Sequence, residues 1–170
     1  DNTCADAQVG TDASGNCTAS VVSDTAGTVT AHASITFTVG GVSLTRATDG
    51  TGNNSGDAVK RFVDAQIDIA ADAVNEVGVC HTFTITVQQD DGLAANATGG
   101  DATSGFQGVS GLNPAVTFTD ANGAVNEPCG EAEDNTCADA QVGTDASGNC
   151  TPSVVSDTAG TVTAHASITF

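Results

Sequence analysis

The residues with most chemistry to offer are six cysteines, and their spacing is regular. They stand as Cys4 and Cys17, Cys80 and Cys129, and Cys137 and Cys150. None forms a CxxC pair, and His81 beside Cys80 does not match a zinc-ligand spacing, so a metal centre on sulfur is disfavoured. Disulfides are the better reading, and they place the chain in an oxidising, extracellular compartment. Four cysteines allow three connectivities. The nearness of Cys137 to Cys150, matched by Cys4 and Cys17, selects those two pairs and leaves Cys80 for Cys129.

Carboxylates come next. Asp90, Asp91, Asp101 and Asp120 lie in or beside loops, and Asp49 and Asp57 flank a polar stretch. Calcium prefers several carboxylate and carbonyl oxygens, which loops can supply. These six are therefore the candidate calcium ligands. No EF-hand loop or other specific spacing accompanies them, and a solvated acidic surface is the competing reading. His32 and His165 occupy the same place on the polar face of a strand and read as idle. His81 shares parity with Phe83 and reads as a packing residue at a strand edge. No serine or threonine has a His/Asp neighbourhood in sequence that suggests a triad, which points away from an enzyme. Asn53 and Asn96 head sequons in expected loops and are the glycosylation candidates.

Composition narrows the partners. There are 21 acidic residues against Arg46, Lys60 and Arg61, a formal net charge of −18. Such a chain has no electrostatic footprint for nucleic acid, and an anionic membrane surface repels it. No apolar run approaches the length of a membrane-spanning helix, so no membrane insertion is expected in this segment. With six Phe and no Trp, Tyr or Met, Val, Ile, Ala and Thr must fill the core. β-branched residues favour strands.

The elements that must position these groups follow from repetition and alternation. Residues 1–37 recur as 134–170, with one difference, Ala19 against Pro152. This reads as one full period of 133 residues plus 37 more, a window on a longer array. Over residues 28–39 the odd positions are apolar and the even ones polar, which predicts one long half-buried strand. Ile67 and Ile69, Phe83, Ile85 and Val87, and Val116 and Phe118 alternate with polar residues in the same way. Val162, Ala164 and Ile168 complete the expected inward set. Residues 90–111 read as a long surface loop, and 49–57 as a flexible linker. Residues 1–48 are then the C-terminal part of one unit, and 58–170 the next unit without its last strand. Many short strands with frequent turns predict an all-β fold of antiparallel β-sandwich repeats.

Two stretches carry a resemblance. Thr144-Asp145-Ala146-Ser147-Gly148, followed by Asp157-Thr158-Ala159-Gly160-Thr161-Val162-Thr163-Ala164, resembles the turn and closing strands of bacterial Ig-like repeats of the invasin and intimin type. Asn75-Glu76-Val77-Gly78 with His81 to Val87 is similar to repeats of large prokaryotic surface proteins. The resemblance covers about half of each period. It implies Ig-like sandwiches strung head to tail, whose partners are neighbouring copies of the same repeat. The expected function is a structural repeat of an extracellular fibre, stalk or filament. The alternative is an adhesin repeat that binds a receptor, a glycan or calcium at the cell surface. Near-identical copies and a surface poor in aromatic residues favour the structural role. Cut apart from its neighbours, such a chain exposes the apolar face of Val29, Ile35 and Phe37 and leaves an open sheet edge for a neighbour to complete.

Overall fold

Alternating β-branched residues separated by Gly and Asp/Asn clusters build an all-β chain, in which the strands pair antiparallel. A computed structural model describes residues 2–5, 10–70, 72–130, 135–139 and 141–170. The first four strands are β1 (Gly27–Ala31), β2 (Ser34–Val39), β3 (Val42–Ala47) and β4 (Ala58–Phe62). Then come β5 (Asp64–Ile69), β6 (His81–Thr82), β7 (Ile85–Asp90), β8 (Gln107–Gly108) and β9 (Ala115–Ala121). The last are β10 (Glu127–Pro128), β11 (Asn149–Cys150), β12 (Ser153–Val155) and β13 (Thr161–Ser167), with a 3-10 turn over Thr136–Ala138.

Residues 63–170 hold the core. β7 pairs with β5 on one side and β11 on the other, and β8 adds beside it. β13 pairs with β9, and β12 lies between β6 and β10. Ile85, Val87, Cys137 and Cys150 are buried together, with Ile67, Ile69, Val116, Ala166 and Ile168 packed against them. The expected inward face of β13 is half-buried at Val162 and Ala164, while Thr161, Thr163 and His165 face solvent. His81 sets its ring edge-on to Phe83 at 4.5 Å, as its parity suggests.

Residues 27–62 form an antiparallel ribbon. β2 turns into β3 through Gly40 and Gly41, whose φ values of 56° and 82° suit the two-residue turn that matches strand twist. β1 pairs with β4, from Gly27 opposite Phe62 to Ala31 opposite Ala58. The single long strand expected over residues 28–39 is thus two strands here, parted at His32 and Ala33. Between β3 and β4 the opposing strand carries a loop at that point. In the second copy, where no such loop stands opposite, β13 runs unbroken. The stretch expected as a linker is this loop, and β4 pairs back onto β1 rather than opening the next unit alone. β5 follows β4 after Val63, so one extended run spans both sheets. Residues 90–111 also depart from a plain loop: they carry β8, and Leu93 is half-buried.

Three disulfides join Cys4 to Cys17, Cys80 to Cys129 and Cys137 to Cys150. Those are the pairs that spacing picks out.

Candidate functional site

The repeated segment is the place to look, because the same residues meet two different surroundings. Several local hydrogen bonds recur in both copies. Asp12 Oδ1 accepts from the backbone N–H of Ser14 and Asn16, and Asp145 Oδ1 accepts from Ser147 and Asn149. An aspartate that caps its own turn needs only its sequence neighbours. Thr18 N–H donates to Thr3 Oγ1 at 2.8 Å, and Thr151 N–H to Thr136 Oγ1 at 2.9 Å. The two 13-residue disulfide separations match as well.

Burial is not the same. Val154 is 5% exposed and its equivalent Val21 is 53% exposed. Cys137, Cys150 and Thr144 are buried, whereas Cys4, Cys17 and Thr11 are exposed. In the second copy the segment packs on β5, β7 and β9. In the first copy none of the described residues takes that role, and Ile35, Phe37, Val39 and Val42 stay open to solvent.

A polar clamp fixes the ribbon. Asp57 Oδ1 lies 2.7 Å from His32 Nδ1 and accepts from Thr48 Oγ1 at 2.6 Å. Thr48 N–H donates to Ala33 O at 2.9 Å, and Ala33 N–H donates to Thr48 Oγ1 at 3.0 Å. The loop at residues 49–56 therefore leaves and re-enters the ribbon at one point. His32 is not idle, and the signal for its role was a Thr and an Asp bracketing the polar loop. The Thr48 hydroxyl, and secondly His32, hold the Asp57 carboxyl below its ordinary pKa. Thr48 Oγ1 also lies 3.4 Å from His32 Nδ1, so the three side chains meet at one point.

The candidate calcium ligands are spread over separate loops. Asp49 Oδ1 accepts from Thr51 N–H and Asn54 Nδ2, which lowers its pKa in that order of weight. Asp90 caps Gly92 N–H, and Asp91 takes the N–H groups of Leu93 and Asp101. Gln107 Nε2 donates to the Asp101 carboxylate. Asp120 takes the backbone and side-chain N–H groups of Asn126. Asp49, Asp90 and Asp91 accept within their own loops, whereas Asp57 ties His32 to Thr48 and Asp101 takes Gln107, and no group of three or more metal-ligating side chains converges among the described residues. Asn53 and Asn96, the sequon heads, are both exposed. An open hollow of about 140 Å³ sits over Val116, Phe118, Cys137 and Pro152 with no titratable group in its wall. No helix among the described residues is long and apolar enough to cross a membrane.

No protein-family model, curated protein or solved structure matches the chain.

Proposed function

We propose that this chain is a structural repeat of an extracellular fibre or stalk, built from Ig-like β-sandwiches joined head to tail, and that it catalyses no reaction. One observation carries the reading. The same sequence, with the same local hydrogen bonds, is packed in one copy and bare in the other, at Val154 and Val21 above all. In this reading the bare copy is half of a unit, and a neighbouring period supplies the other half. Three disulfides fit an oxidising, extracellular setting and reinforce a core poor in aromatic residues. The net charge of −18 keeps adjacent fibres apart at low salt. The resemblance to invasin- and intimin-type repeats points the same way.

Negative-stain microscopy of a chain carrying three successive periods tests the proposal. The expected image is a thin thread of equal beads whose contour lengthens by one step for each added period. A compact particle that does not lengthen with period number is the opposing result.

A further inference from the structure

We propose that the free edge of β13 is the joint between repeats, and that its occupant is the β3–β4 ribbon of another copy, residues 38–62, in the register that β1 and β4 already display. This deepens the fibre reading and rests on it for the presence of a following copy.

The argument starts from identity. Residues 160–164 repeat residues 27–31 without a change. Among the described residues β13 pairs with β9 alone, with Thr161 opposite Ala121 and Ala164 opposite Phe118. In an antiparallel strand alternate residues aim their N–H and C=O groups at opposite edges. With β9 on one edge, every second residue of β13 offers a donor and an acceptor to the other. β1 is the same strand, and there β4 is the partner. The proposal places β4 of the next copy on that other edge, in the order β9, then β13, then β4. Val162 would lie between Asp120 and the incoming Lys60, and Thr163 between Thr119 and the incoming Val59.

Three further features fit that order. His165 is the equivalent of His32, so the incoming Asp57 and Thr48 would clamp it as they clamp His32 at 2.7 Å. Gly160 is closed by its own unit, since a Cβ there would meet Ala124 N at 2.2 Å and Ala121 O at 2.6 Å. Its equivalent Gly27 is approached by the following unit, because a Cβ on Gly92 would meet Phe62 O at 2.1 Å and Gly27 N at 2.8 Å. Finally, the chain's three cations, Arg46, Lys60 and Arg61, all lie on β3 and β4. In a chain of net charge −18, that ribbon is the segment an acidic neighbour attracts rather than repels.

The test extends the full chain beyond residue 170 with a copy of residues 38–62 and follows amide hydrogen exchange along β13 by NMR. Alternate amides of β13 are expected to slow by about tenfold or more, and the His165 ring signals to move toward those of His32. Replacing Val59→Pro in the added copy alone should return the exchange to that of the unextended chain, because proline removes a ladder donor. Unchanged exchange in the extended chain overturns the joint. Equal protection by a scrambled segment of the same composition overturns it too, since the register would then be unspecific. Neither result bears on the beaded thread, which microscopy of the three-period chain reads separately.

Discussion

Removing the same disulfide from each copy should have unequal consequences, and the inequality can be worked out. Both bridges span 13 residues. In the chain-entropy treatment each therefore restricts the unfolded chain by the same amount, about 3 kcal/mol at 25 °C. What differs is the native side. Cys137 and Cys150 are each 2% exposed and touch Ile85 and Val87 in the core. Truncating each to alanine removes a buried sulfur and leaves a small void, about 1 kcal/mol per site. The double variant Cys137→Ala/Cys150→Ala should lose about 5 kcal/mol, a large part of the roughly 5–15 kcal/mol that a domain has to lose. Cys4 and Cys17 are exposed and pack on none of the described core residues. Cys4→Ala/Cys17→Ala removes the same loop restriction but leaves no buried void, so it should lose only about 3 kcal/mol. With no Trp or Tyr in the chain, the assay is urea unfolding followed by far-ultraviolet circular dichroism. Equal shifts of the two midpoints would refute the claim that the copies sit in different surroundings.

Three other paired or single perturbations follow the same logic. Gly148→Ala forces a side chain onto Val87 O, 2.1 Å from the ideal Cβ position, at a φ of 81°, and should cost about 3 kcal/mol or more by the same unfolding assay. Gly15→Ala at φ 82° meets nothing and should cost about 1 kcal/mol at most. Thr144→Val strands the Leu112 N–H, bonded to Oγ1 at 3.0 Å, and the Val109 carbonyl in a buried site. A loss of about 2–3 kcal/mol in thermal unfolding is expected, against under about 0.5 kcal/mol for exposed Thr11→Val. Because the Asp57 and Asp49 pKa values are lowered in the folded chain, their contribution to stability is complete above the ordinary carboxylate range. It is lost as pH falls through the lowered values. Carboxyl-carbon NMR titration should place the Asp57 midpoint below about 3.9, and Thr48→Ala should raise it.

Much of the architecture was legible because it is locally encoded. Strict alternation at Phe83, Ile85 and Val87, and at Val162 and Ala164, sets the inward face of a strand whatever it pairs with. The Asp12 and Asp145 turns carry their own hydrogen-bond acceptors and so form alike in both copies. The disulfide pairs follow from nearness and recurrence. Strand partners were less legible, since pairing is non-local. Period two says that residues 28–39 are extended but not which edge meets which strand, nor that a loop opposite His32 will break the run. The clamp of His32, Thr48 and Asp57 joins residues up to 25 apart, with only the bracketing of a polar loop to hint at it. Asp49, Asp91 and Asp120 have the composition of calcium ligands, and composition alone does not say that each accepts hydrogen bonds from groups of its own loop.

The proposed fibre makes residues 1–48 the later part of a unit whose earlier part another copy supplies. Placing a copy of residues 38–133 ahead of the full chain supplies that part, and amide hydrogen exchange reads the outcome residue by residue. The amides of Cys17, Val21 and Ile35 are then expected to slow to the rates of Cys150, Val154 and Ile168. Exchange at Cys17, Val21 and Ile35 that stays as fast as in the 170-residue chain would contradict it.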